Sequence, residues 1–165
     1  MKQKNQYFQS DNYMVGVTKS GEQFKFDKED LELINKYWWH SIDSHGNKYI
    51  ATKINNKTVH LHRLIMNYPN NDIDHINHDG ADCRRINMRV CSRGENMGNR
   101  RKKKTASSAY KGVYFYKPTK KWAAQIQVNN LKKSLGHHIT EVAAAVAYNT
   151  AAAFYFGEYA NLNII

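Results

Sequence analysis

The sequence predicts an α+β fold divided among small modules, and three features predict it. Short runs of alternating apolar and polar residues recur around turn signals, as in Tyr13–Phe26 and Trp122–Val128. A Ser92-Arg93-Gly94-Glu95 capping box opens a short helix at mid-chain. An Ala-rich stretch from Glu141 to Phe156 lies between a Thr140 N-cap and a Gly157 stop. With 165 residues the chain has room for one ordinary domain or for two to three small modules.

In order, residues 13–26 give two strands about Lys19-Ser20-Gly21, and Asp27 to Tyr37 gives a short acid-opened helix. Tyr49–Ala51 and Thr58–Leu61 pair about Asn55-Asn56-Lys57, and His62–Met66 is a helix closed before Pro69. Trp38 and Trp39 are assigned to core and rim, as burial habits favour. Asp72–Asn77 and Met88–Cys91 are strands separated by a Gly-containing loop. Three further strands follow, Tyr110–Tyr116, Trp122–Val128 and Leu131–Leu135, and the helix of 141–156 covers one face of them. The expected domains are a β-rich platform over 1–58, a catalytic unit over 59–101, a basic linker over 102–109 and a C-terminal module over 110–165.

Charge points to the partner. The chain has 25 Lys+Arg against 14 Asp+Glu, a formal net charge of +11. The excess lies in the last two thirds, with its longest run at Arg100-Arg101-Lys102-Lys103-Lys104. This run followed by Thr-Ala-Ser-Ser has no means of burying itself, so Lys102, Lys103 and Lys104 are expected to follow a nucleic-acid backbone. A 41% apolar content excludes a disordered basic tail. No apolar run reaches the roughly 18 residues of a membrane span, and the N-terminus lacks the apolar core of a secretory signal. Two cysteines do not staple a secreted scaffold, so a reduced cytoplasmic setting without a membrane partner is expected.

Chemistry is concentrated in 72–101. The strand, loop, strand, helix order lets a carboxylate, an imidazole and a carboxamide converge. Asp74 and Asn96 offer hard oxygen ligands and His75 offers a base that titrates near neutrality, a set suited to metal-assisted attack of water on a phosphodiester.

Residues 59–101, VHLHRLIMNYPNNDIDHINHDGADCRRINMRVCSRGENMGNRR, resemble the HNH endonucleases, in particular the phage and intron-encoded homing endonucleases with a ββα-metal fold. The resemblance implies that His75 is the general base and that Asp74 and Asn96 hold one divalent ion, Mg²⁺ or Mn²⁺. It implies that Asn87 braces the hairpin loop and orients the base. Many family members have His where this chain has Asn96, and a neutral oxygen donor suits these hard ions better than zinc. His78 and Asp79 are rival ligands, although Asp79-Gly80 fits a turn better. An EF-hand fails, since its twelfth position would be Ile86. A zinc site of His60, His62, Cys83 and Cys91 lacks the short CxxC spacing. His62 is expected to pack or hydrogen-bond near the hairpin, with contact to a phosphate as a further option.

Residues 110–163 resemble an AP2/ERF DNA-binding domain, through Tyr110-Lys111-Gly112-Val113, the Trp122-x-Ala124-x-Ile126 strand, Leu135-Gly136 and the closing Gly157-x-x-Ala160-x-Leu162-Asn163. The resemblance places Lys111, Tyr114, Tyr116, Gln125, Gln127, Lys132 and Ser134 against double-stranded DNA and takes Tyr148 to a phosphate. Plant members carry Arg and Trp at these strand positions, so their GC-rich target is not inherited. Tyr110 and Trp122 are assigned to the core. The function expected is a monomeric, metal-dependent homing-type DNA endonuclease acting in a bacterial host cytosol and encoded by a phage or mobile element. A DNA-binding protein with an inactive nuclease fold is the alternative, and an RNA-binding protein fits the charge but not the motifs.

Overall fold

The computed structural model describes residues 5–44, 46–102 and 107–165. Its architecture is α+β, built of small antiparallel sheets and short helices. The chain divides into two compact units, Met1–Cys91 and Ser92–Ile165. Among the described residues, no helix is long and apolar enough to cross a membrane.

In the first unit, β1 (Gln6–Gln9), β2 (Met14–Val17) and β3 (Gln23–Phe26) form one sheet in that order. The β2–β3 hairpin matches expectation, and β1 is an addition. Tyr7 anchors β1, its ring meeting Phe24 and Phe26 edge-on at 6.4 and 5.8 Å. The helix expected over 27–37 is shorter, a 3₁₀ turn over Lys28–Asp30 leading into α1 (Leu31–Ile34). Asp30 is one reason: it does not open a solvated helix but is buried, receiving Arg85 Nη1 and Nη2 at 2.6 and 2.8 Å.

A second sheet has β5 (Asn47–Ile54) between β4 (His40–Ser44) and β6 (Lys57–His60). Asn55 and Asn56 turn the β5–β6 hairpin at φ +49° and +61°, the conformation a two-residue hairpin loop demands. The helix α2 (Leu61–Ile65) follows at once. Strands β7 (Asp72–His75) and β8 (Met88–Cys91) pair antiparallel, and the loop between them starts two residues before the expected strand end. Phe24, Phe26, Ile34, Trp39, Ile50, Leu61, Cys83 and Met88 form one buried cluster, so the platform and the β7–β8 hairpin share a core. Trp39 is buried with Nε1 donating to the Ile34 carbonyl, while Trp38 is exposed, the core and rim roles expected of them.

The second unit starts with α3 (Arg93–Gly98). Its capping box is formed: Glu95 N donates to Ser92 Oγ at 3.3 Å and Ser92 N to a Glu95 carboxylate oxygen at 2.7 Å. This helix packs against its own unit, where a Cβ on Gly98 would lie 2.6 Å from the Phe156 ring, so the boundary between units falls at 91/92 rather than at 101/102. Strand β10 (Lys121–Val128) lies between β9 (Val113–Tyr116) and β11 (Leu131–His138). Strand β9 starts later than Tyr110 because Gly112, at φ +77°, turns the chain where a Cβ would strike Tyr148 Cδ2 at 2.1 Å. Strand β11 runs three residues past Leu135, through a register shift opposite Ala123–Gln125. The helix α4 (Glu141–Phe156) has the expected bounds, with Thr140 Oγ1 accepting from Ala143 N.

Helix α4 covers the sheet face bearing Val113, Trp122, Ala124, Ile126, Val128 and Leu135, and Tyr110 and Trp122 pack on this core as expected. Ala123, expected on the wet face, is only 2% exposed. Its register neighbours Tyr114 and His137 are large enough to cover a methyl group.

Candidate active site and nucleic-acid face

Asp74 and His75 are the last two residues of β7, opposite Arg89 and Met88 of β8. Register puts Arg89 on the same face as Asp74, and the guanidinium donates to Asp74 Oδ2 from Nε at 2.9 Å, with Nη2 at 2.8 Å. Both residues are shielded, Asp74 at 5% exposure, so the charges are held together away from bulk water. Sequence reasoning gave Arg89 no role, although its place across the hairpin from Asp74 was the available signal.

His75 is buried and packs in a group of aromatic and imidazole rings. The His62 ring meets it at 5.1 Å and 83°, His60 lies 5.1 Å from His62, and the Tyr49 ring is within 6.0 Å of all three. Burial lowers the pKa of His75, against the opposing pull of Asp74, Asp79 and Asp82. Burial lowers His62 further, to about 3, helped by His75, His60 and Arg63. The rings are therefore neutral at pH 7, the form in which an imidazole accepts a proton. His62 takes the packing role expected of it, while Tyr49 and His60 are additions.

The loop between β7 and β8 is fixed from within. Asn87 Oδ1 accepts from Asn77 N at 3.0 Å, its Nδ2 donates to the Asp82 carbonyl at 2.8 Å, and its own carbonyl accepts from Ile76 N. One side chain thus ties the loop end to its start and middle, the bracing expected of Asn87. Asp82, 1% exposed, accepts from both Arg84 and Asn77 Nδ2. Gly80 sits against β5, where a Cβ would lie 2.4 Å from the Lys48 carbonyl oxygen. Asp79 Oδ1 accepts from Ala81 N at 3.0 Å and so forms the loop turn. His78, at φ +62°, belongs to the same turn.

Asn96 lies in α3 of the second unit, while Asp74, His75 and Asn87 lie in the first. Among the described residues, no group of three or more His, Cys, Asp or Glu has metal-holding geometry. The expected ligand pair, one carboxylate and one carboxamide, is a different set made of hard oxygen donors that suit Mg²⁺ or Mn²⁺. A carboxylate accepts from about four directions, so pairing with Arg89 is compatible with ligation by Asp74.

On the second unit, the sheet face turned away from α4 carries Tyr114 and Tyr116 on β9, Gln125 and Gln127 on β10, and Lys132 and Ser134 on β11. Register aligns Gln125 with Ser134 and Gln127 with Lys132. Lys132, Ser134, Gln127 and Tyr116 are exposed, and Tyr114 and Gln125 are half-buried. His137, which sequence reasoning did not single out, joins this face and stacks on Tyr116 at 4.9 Å and 28°.

Two expected contacts are corrected. Tyr148 is 3% exposed in the core under the sheet, so its ring is packing rather than a phosphate contact. Lys111 is half-buried, with Nζ donating to the Gly98 carbonyl at 2.7 Å and lying 5.7 Å from the Tyr148 ring centroid. Burial, then the Arg100 charge, lowers its pKa to about 8. It is a strut between α3 and the sheet. Lys102 is half-buried beside a surface pocket that Tyr110 and Asn163 also line. Lys103 and Lys104 lie outside the described residues.

No family model, curated protein or solved structure matches this chain.

Proposed function

We propose that the chain is a metal-dependent DNA endonuclease of the HNH homing type, whose target is chosen by the exposed sheet of the second unit. The observation that carries this reading is His75, an imidazole buried in a ring cluster and kept neutral by that burial, next to the Asp74 carboxylate on a hairpin whose loop is tied by Asn87. His75 takes a proton from the attacking water, and burial keeps it in the accepting form. Asn87 holds the loop so that the imidazole keeps its place. Asp74 would hold the ion through its carboxylate. A bound Mg²⁺ or Mn²⁺ supplies positive charge against the scissile phosphate and the departing 3′-oxygen. The products carry 5′-phosphate and 3′-hydroxyl ends. The proposed setting is a bacterial cytosol, with the protein acting as a monomer encoded by a phage or mobile element.

Incubation of the protein with plasmid DNA and Mg²⁺, alongside a chelator control, tests the reading. Nicked or linear product that disappears with chelator is the expected result. A second reading, a DNA-binding protein without nuclease activity, is favoured by one observation: Asp74 already carries a counter-ion in Arg89. Retarded but uncut plasmid in the presence of Mg²⁺ would select it.

A further inference from the structure

The sheet face of the second unit has a chemistry specific enough to choose among base pairs. Residues 102–165 contain no arginine, the side chain that most often reads guanine from the major groove. The central strand instead presents two carboxamides, Gln125 and Gln127, on one face. A carboxamide has a donor and an acceptor side by side, which matches the acceptor N7 and donor N6 amine of adenine. Farther along the same face, the Tyr116 and His137 rings stack at 4.9 Å, with His137 opposite Ala123 and Tyr116 opposite Lys121 of the middle strand. The pair joins β9 to β11 across the middle strand at the level of Lys121 and Ala123, and offers an aromatic surface next along the face from Gln125. In the major groove, the apolar feature within reach of such a surface is the C5-methyl of thymine. Adenine edges and thymine methyls belong to the same base pair.

We propose that this face reads A·T base pairs, with Gln125 and Gln127 pairing to adenine and the Tyr116–His137 ring pair covering a thymine methyl. The proposal rests on the reading that this face enters the major groove of DNA. It adds the class of target and a contact residue, His137. The cations on the face, Lys121 and Lys132, then hold phosphates and carry affinity rather than preference.

The test is selection from randomised duplexes with the full chain, followed by single-atom changes in the selected site. Adjacent A·T pairs are expected. Replacing thymine by uracil removes only the methyl, and should weaken binding about threefold or more at the covered position. Replacing adenine by 7-deazaadenine removes only the N7 acceptor, and should weaken binding roughly two- to tenfold. Gln127→Ala should lose about five- to 150-fold discrimination at one position. Tyr116→Ala should abolish the uracil effect, with circular dichroism melts confirming that both variants fold. Selection of G·C pairs, or indifference to both base analogues, overturns the proposal while the DNA-reading face stands. Equal binding to all duplexes, or none, removes that reading and the proposal together.

Discussion

Arg89 approaches one oxygen of Asp74 with two nitrogens, Nε at 2.9 Å and Nη2 at 2.8 Å, across the β7–β8 hairpin. The pair is buried at its acidic end, which makes its two halves unequal. Removing the guanidinium takes a two-nitrogen contact away from a carboxylate that is 5% exposed. Arg89→Ala should therefore destabilise the chain by about 3–5 kcal/mol. In Asp74→Ala, Arg89 keeps access to water, and the loss should be smaller. Urea melts of the two single variants and the double variant would measure the coupling, and a coupling near zero would contradict the buried pair.

His75 is held by packing, so its chemistry and its contribution to the fold separate. His75→Ala should lower cleavage by roughly 10²–10⁴ while leaving DNA affinity within a few-fold, because the role proposed for the ring is proton acceptance rather than phosphate anchoring. Cleavage rates and gel shifts on one substrate give both numbers. Cleavage at the parent rate would remove His75 from the reaction.

The legible part of this chain is what local sequence controls. The Ser92–Glu95 box, the Thr140 cap and the Gly157 stop state their helix ends in side chains a few residues away, and all three helix ends lie where those side chains place them. The alternation in Trp122–Val128 fixed which residues face α4, apart from Ala123, whose burial comes from rings on two other strands. What escaped was set by distant partners. Asp30 belongs to Arg85, Asp74 to Arg89, and Tyr148 lies under the Gly112 turn, pairings that no local pattern announces. The same reason explains why the rings packed about His75, Tyr49 on β5 and His60 on β6, were not legible.

The buried imidazoles should make the fold acid-sensitive. His62 is lowered from 6.5 to about 3, chiefly by burial, so the unfolded chain binds its proton first. Its stability contribution is complete above the unfolded value and is lost as pH falls from there toward 3. Between pH 7.5 and pH 5 the loss from His62 alone should be about 2 kcal/mol, with His60 and His75 pushed in the same direction. His62→Leu should flatten the profile by one histidine's share. A parent protein equally stable at both pH values in urea melts would mean that the ring cluster is open to protons in the folded state.

Ile126 and Gln127 are neighbours on β10 with opposite duties. Ile126 is 3% exposed and packs with Tyr148, Ala152 and Phe156 under α4, whereas Gln127 is exposed beside Lys132. Truncating Ile126 to Ala opens a cavity against Tyr148, Ala152 and Phe156 of α4. The cost should be about 2–5 kcal/mol, and binding should fall on every DNA sequence alike as folded protein is lost. Gln127→Ala removes no buried atom and should melt with the parent, within about 0.5 kcal/mol. Thermal melts followed by binding to two unrelated duplexes separate the outcomes. If Gln127→Ala melts early and Ile126→Ala does not, the sheet faces are reversed and the carboxamide face is turned into the core.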